Sequence, residues 1–332
     1  MESTDLEDIV ERTGGGIPLC WSRGSRKIPT TNLGDSLSPV VVAALSGLRI
    51  DWTPAASAQT RMAAIGTIGQ RFAGGTVHYW GTGFDAKMNV VDPSVPHYLL
   101  PPETRLVPHA LRGPHSRAVL ARVGIHAPQI YGDPAWFMPR IHPSTVAKRA
   151  ELGVVLHISE TTARTPEPAP YPEFARYHID DADSGAVKLI STYHNRDYRS
   201  LTGKLDELLS CKRIVSTGFH GMVLADAYRI PCAYFALEEG ESRLVDPWDH
   251  SGVLDHRFAD FYAGCTRPGV PAYCQPRLHL TDWTKLIRFI DDMWTPVEDR
   301  FEDLLSAFPL PRRVDAARVS WGNMSALESL PL

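Results

Sequence analysis

Short apolar runs, each followed by a Gly- or Pro-bearing turn and then a stretch with helical apolar spacing, recur along the chain. The first run, Ile17-Pro18-Leu19-Cys20-Trp21, reads as a strand. A basic loop with Arg23, Arg26 and Lys27 leads into Asn32-Leu33-Gly34-Asp35-Ser36-Leu37-Ser38-Pro39 and the apolar helix Val40 to Leu48, with Asp35 or Ser36 suited to cap it. Residues 63–68, 76–80 and 104–111 read as further strands. The second of these runs into a Gly81-Thr82-Gly83-Phe84 turn, which lacks the third glycine of a dinucleotide-binding loop. Arg112-Gly113-Pro114-His115-Ser116-Arg117 opens a helix at 118–123, and its arginines flank a helix start where an anion would be welcome. Ile130 to Trp136 forms another turn.

The polar stretch 141–150, carrying Pro143, reads as a crossing between two halves. Strands at 153–159 and 187–192 follow, separated by a loop whose 161–172 segment holds four prolines. A short amphipathic helix spans 201–209. Ile214-Val215 then gives a buried strand, Ser216-Thr217-Gly218 a turn, and Met222 to Tyr228 a helix ended by Pro231; Cys232 to Ala236 is the next strand. His220 therefore falls where a strand gives way to a helix, the end of an open α/β sheet where ligands bind. Residues 243–262 are dense in titratable groups and read mainly as a solvated surface. Gly264 to Pro276 reads as a Pro/Cys loop, and 283–308 as a helix broken near Pro296. Residues 1–16 read as a loose acidic leader.

This alternation predicts α/β architecture with two Rossmann-like domains facing a cleft. The expected boundaries are 1–145, 146–290 and a helical segment 291–332 packing back on the first domain. A length of 332 residues accommodates both domains. A net charge of −4 without a long basic run gives no case for nucleic acid. No apolar run approaches a membrane span and the start lacks a secretory core, so a cytoplasmic location is expected, with peripheral association at the inner membrane face left open. The five cysteines suit reduced thiols, a Cys265–Cys274 bridge being the one pairing considered. His250 and His256 among aspartates do not form a metal-ligand pattern, so no metal is expected.

Four pieces in order resemble the polysaccharide pyruvyl transferase family, especially its bacterial exopolysaccharide branch: Asn32-Leu33-Gly34-Asp35, Arg112-Gly113-Pro114, Gly132-Asp133-Pro134-Ala135, and Ser216-Thr217-Gly218-Phe219-His220-Gly221 trailing to Pro231. The resemblance implies a GT-B-like fold and transfer of the enolpyruvyl part of phosphoenolpyruvate onto two hydroxyls of one sugar, as a cyclic ketal. It implies no cofactor beyond that donor, and a glycan or lipid-linked oligosaccharide as acceptor. Many members carry Ser-Arg-Leu-His-Gly where this chain has Gly218 in the arginine's place, so another cation must hold the donor. His220 is then expected as general acid/base and Arg112 as anion holder, with Arg257 and Arg229 as further cations. Asn32, Gly34, Asp35, Gly83, Ser216 and Gly221 are expected at the substrates. Two other readings share the pattern: a glycosyltransferase using a nucleotide sugar, and a non-catalytic glycan-binding subunit.

Overall fold

A computed structural model describes residues 5–24, 27–143, 145–249, 251–265, 267–298, 301–315, 320–321, 327–330 and 332; Arg26 and His250 lie outside them. The strands are β1 (Gly16–Cys20), β2 (Thr30–Asn32), β3 (Arg49–Trp52), β4 (Arg61–Ala63), β5 (Gly75–Thr82), β6 (Thr104–Leu111), β7 (Leu152–Val155), β8 (Val187–Ile190), β9 (Tyr193–Asn195), β10 (Ile214–Ser216), β11 (Cys232–Ala236), β12 (Arg243–Val245) and β13 (Val270–Cys274). The helices are α1 (Asp5–Arg12), α2 (Leu33–Ser46), α3 (Pro114–Arg122), α4 (Met138–Ile141), α5 (Tyr198–Leu209), α6 (Phe219–Ala227), α7 (His256–Gly264), α8 (Trp283–Met293) and α9 (Glu302–Ser306).

Among the described residues these strands form two larger sheets. The first, in the order β3-β1-β4-β5-β6, is parallel throughout; the second, β12-β13-β11-β10-β7-β8, is parallel except for its β12 edge. In the first, the chain leaves β1 for β3 on one side and returns to β4 on the other. In the second, it leaves β7 for β8 and returns to β10. Each sheet thus has a crevice beyond the carboxyl ends of two adjacent strands, β1/β4 and β7/β10, where α/β proteins bind ligands. A small antiparallel ribbon, β2 with β9, ties the two halves together.

One apolar cluster runs through both halves, joining Leu37, Val41 and Phe137 to Leu205, Met222 and Phe261. The last part of the chain packs on early elements: Leu304 O accepts from Trp80 Nε1 at 2.7 Å, Arg140 O from Trp321 N at 2.7 Å, and Leu45 O from Arg313 N at 2.9 Å.

Several expectations are corrected. The acidic leader contains α1, which buries Leu6 and Val10 one turn apart and puts Asp5, Glu7 and Asp8 at its positive end. The Pro/Cys loop at 264–276 contains β13, buried along its whole length beside β11. Pro271 within the strand, flanked by Pro268 and Pro276, hides it from a reading of local pattern. Cys265 and Cys274 are free thiols. The α2 cap is Asn32 rather than Asp35 or Ser36: its Oδ1 accepts from Gly34 N at 3.0 Å, while its amide donates to Thr192 Oγ1 at 2.9 Å. α6 ends with Arg229 in the left-handed region (φ 59°). There Ile230 N reaches Ala225 O and Arg229 N reaches Asp226 O, the pairing of a helix-terminating Schellman turn.

Candidate active site

Both crevices open into one cavity of about 340 Å³. The first half lines it with Ser22 beyond β1, Gly66 to Ile68 and Arg71 beyond β4, and Asn32 to Asp35 at the start of α2. The second half lines it with His157 and Ile158 beyond β7, Gly218 to Gly221 beyond β10, and Asp255 to Arg257 at the start of α7. Three helix N-termini, those of α2, α6 and α7, therefore converge on the same space, and their N–H groups bias it toward anions. The start of α6 carries the strongest bias, because Gly218 offers no side-chain cap.

The α6 turn is built for close approach. Ser216 Oγ accepts from Gly218 N at 3.1 Å and donates to Gly218 O at 2.7 Å, holding the strand-to-helix corner. A Cβ on Gly221 would stand 2.3 Å from that Oγ, so only glycine fits. Ser216 is fully buried: it shapes the turn and does not line the cavity.

His220 projects from the first turn of α6. Its Nε2 lies 3.4 Å from Asp133 Oδ2, at ion-pair distance; both atoms are buried, and neither makes a hydrogen bond among the described residues. Asp133 is itself fixed, since its Oδ1 caps the following short turn by accepting from Ala135 N at 2.9 Å. A carboxylate behind an imidazole favours a proton on Nε2 and stabilises the imidazolium that forms on protonation. The other edge meets α2: a Cβ on Gly34 would sit 2.1 Å from His220 Nδ1. Gly34 thus serves the site by letting the imidazole pack on the α2 backbone.

Asp35, half-buried on α2, faces the same cavity. Burial pushes its carboxyl from 3.8 up to about 6, against the opposing pull of His220, Arg71, a hydrogen bond from Ser22, and Arg257. The cavity therefore holds, from the first half, a carboxyl able to exchange protons near neutrality, and His220 lines it from the second half.

Its cations differ in availability. Arg257 grips Asp255 in a two-pronged pair (Nε to Oδ1 2.7 Å, Nη2 to Oδ2 3.1 Å) and its Nη1 lies 3.3 Å from His157 Nε2. Burial alone would raise the Asp255 carboxyl, but the Arg257 pair holds it down at about 2. Burial, with Arg257 alongside, lowers His157 to about 4, so that ring is neutral. Arg71, on the short turn Gly69–Arg71, lines the cavity, and its guanidinium makes no hydrogen bond or ion pair among the described residues.

Arg112 is not a cavity cation. It is 1% exposed, pairs with Asp260 Oδ2 through Nε at 3.1 Å, donates from Nη1 to Thr67 Oγ1 at 2.5 Å, and stacks on the Phe219 ring at 5.3 Å. The same Asp260 caps α3 by accepting from Ser116 N at 3.0 Å and from Ser116 Oγ at 2.5 Å. A Cβ on Gly113 would meet Asp260 O at 1.8 Å, and one on Gly83 would meet the Arg112 guanidinium at 2.2 Å. Arg112-Gly113-Pro114 and Gly83 are thus a joint that seats α7 against the first half. Arg229 also points elsewhere, donating to Val297 O.

Sequence reasoning brought Asn32, Gly34, Asp35, His220, Gly221 and Arg257 to one place, and the structure puts them around one cavity. It missed Asp133 as a partner of His220, although Gly132-Asp133-Pro134 was in view, because a cross-chain pairing of this kind leaves no local pattern. It also missed Arg71, a lone exposed arginine. Among the described residues no group of three or more His, Cys, Asp or Glu side chains is placed so that it could hold a metal ion, and no helix is long and apolar enough to cross a membrane.

Two mainly parallel sheets whose crevices open into a single cavity, with His220 in its wall and Asp133 behind it, define the class: an α/β protein with a cleft between its two halves. The chain belongs to the polysaccharide pyruvyl transferase family, whose model matches residues 70–239. That span contains Arg71, Asp133 and His220, whereas Asn32 to Asp35 and Arg257 lie outside it. No curated protein and no solved structure matched the chain.

Proposed function

We propose that the protein transfers the pyruvyl group of phosphoenolpyruvate onto two hydroxyls of one sugar during assembly of an exopolysaccharide or other cell-surface glycan. The observation that carries this reading is the His220–Asp133 pair at the uncapped start of α6, in a chain of this family. Phosphoenolpyruvate has a phosphate and a carboxylate. The free N–H groups of α6 and the unpaired guanidinium of Arg71 suit them both. Arg71 takes the part of the arginine that many members carry at the position of Gly218.

Protonated His220 gives its proton to the methylene carbon of the donor, and C2 becomes electrophilic. The first sugar hydroxyl bonds to C2 and passes its proton to a base, for which Asp35 is suited above its raised pKa. The C2–O bond to phosphate breaks. The second hydroxyl closes on C2, and its proton leaves with phosphate. The proton on Asp35 returns to His220 before the next turnover, and the atoms balance as donor plus diol giving cyclic ketal plus inorganic phosphate. Asp133 stabilises the imidazolium before the first step.

The reading takes residues 1–145 as the acceptor lobe and 146–290 as the donor lobe, arranged as in GT-B enzymes, with 291–332 returning to the first lobe. It assigns the work to the cytoplasmic side, at the membrane when the acceptor is lipid-linked. Run in deuterated water, the reaction places one deuterium in the ketal methyl group, and His220→Ala abolishes both transfer and labelling. An unlabelled methyl group, or full activity in His220→Ala, refutes His220 as the carbon acid.

A further inference from the structure

A second chamber of about 180 Å³ adjoins the main cavity and shares Ser22, Asn32, Asp35 and Ile158 with it. Its far wall is the β2–β9 ribbon, with Arg164 and Arg196 beside it. Arg196 is anchored: its Nε donates to Ile28 O at 2.9 Å, and Nη2 lies 3.4 Å from where a Cβ on Gly24 would be. Arg164 is anchored only through its main chain, its carbonyl accepting from Thr30 Oγ1 at 2.6 Å. Its guanidinium has no hydrogen bond or ion pair among the described residues. Tyr193 is 7% exposed and its hydroxyl has no hydrogen-bond partner among them either. Burial raises the phenol, and the charge of Arg164 works against that rise.

An available cation, an anchored cation and an unused phenol donor thus face one small space, and the transfer chemistry uses none of them. Asp35 stands at the shared mouth, and its negative charge at neutral pH disfavours a donor phosphate straddling the two spaces. A sugar hydroxyl suits that position, so a ligand spanning both chambers presents neutral hydroxyls at Asp35 and an anionic group at Arg164. Building on the proposed function, we infer that the second chamber binds an oxyanion carried by the acceptor glycan, either a sugar phosphate or a uronate carboxylate.

Equilibrium calorimetry without phosphoenolpyruvate tests this with matched galactose, glucose and mannose sets: the neutral methyl glycoside, the sugar 1-phosphate and the methyl uronoside. At least one charged sugar should bind the wild type about tenfold tighter than its neutral counterpart, with the preference shrinking in high salt. Arg164→Gln should erase that preference and leave both the neutral glycoside and phosphoenolpyruvate unaffected; Tyr193→Phe should weaken the charged sugar only. Phosphate or uronate is identified by whichever gains. Equal affinity within every set, no binding of any charged sugar, a preference that survives Arg164→Gln, or a loss confined to phosphoenolpyruvate overturns the inference. Because no turnover is read, an absence of pyruvyl transfer from phosphoenolpyruvate would count against the proposed function alone.

Discussion

Replacing Asp35 by Asn should make the protein more stable and less active at once. The carboxyl is raised from 3.8 to about 6, chiefly by burial, which corresponds to about 3 kcal/mol against the ionised form at neutral pH. Its place in the first turn of α2 returns about 0.5 kcal/mol through the helix dipole, a gain that a neutral amide forgoes. The net expectation is that Asp35→Asn stabilises the protein by about 2.5 kcal/mol at pH 8, a rise of about 5 °C in the thermal midpoint at this chain length. The sign follows from linkage. Unfolded Asp35 titrates near 3.8 and folded Asp35 near 6, so the wild type loses stability as pH climbs from about 4 to about 6 and no further above that. The variant does not titrate there. The gap should be near zero at pH 4, open through pH 6 and stay level to pH 8, as read by thermal or urea unfolding across that range. The same variant should lose at least about a hundredfold in kcat/KM, as expected when a strained carboxylate is kept for chemistry. A gap of equal size at pH 4 and pH 8, or a variant less stable at pH 8, would refute the reasoning.

Asp133→Asn keeps the cap on Ala135 but withdraws the charge behind His220; kcat should fall by about a hundredfold with little change in KM for phosphoenolpyruvate, in steady-state kinetics. Arg71→Gln should raise KM for phosphoenolpyruvate about tenfold. Adding Gly218→Arg should recover part of it, since a Cβ there meets nothing nearer than Ser216 Oγ at 3.7 Å. Gly34→Ala puts a methyl group 2.1 Å from His220 Nδ1, so activity should collapse while the far-UV spectrum stays that of the wild type. Asp260→Ala leaves Arg112 buried without its counter-charge and uncaps α3, and should cost about 3–5 kcal/mol in urea unfolding.

What the sequence revealed and what it hid divide along a physical line. The β10–α6 corner was legible because its determinants are local: an apolar strand, a Ser-Thr-Gly turn, an apolar helix and Pro231. Asn32 to Asp35 were legible for the same reason, although the capping role passes to Asn32. Arg112 was expected to hold the donor anion and does not line the cavity: it is buried against Asp260, 148 positions away, in a stretch read as solvated surface. Buried ion pairs across a fold leave no periodic trace. Gly34, Gly83 and Gly221 carry the same lesson, because each is glycine on account of a side chain elsewhere: His220, Arg112 and Ser216. The β13 strand was hidden by its prolines, and the availability of Arg71 is a property of its surroundings alone.

The most direct test of the central claim is to incubate the protein with phosphoenolpyruvate and a panel of galactosides, glucosides and mannosides, measuring product mass and released phosphate together. The account predicts a glycan heavier by one pyruvic acid less one water, formed in equal amount with inorganic phosphate, and neither product in His220→Ala. Release of a nucleoside diphosphate from a nucleotide sugar, with no ketal formed from phosphoenolpyruvate on any acceptor, would contradict it.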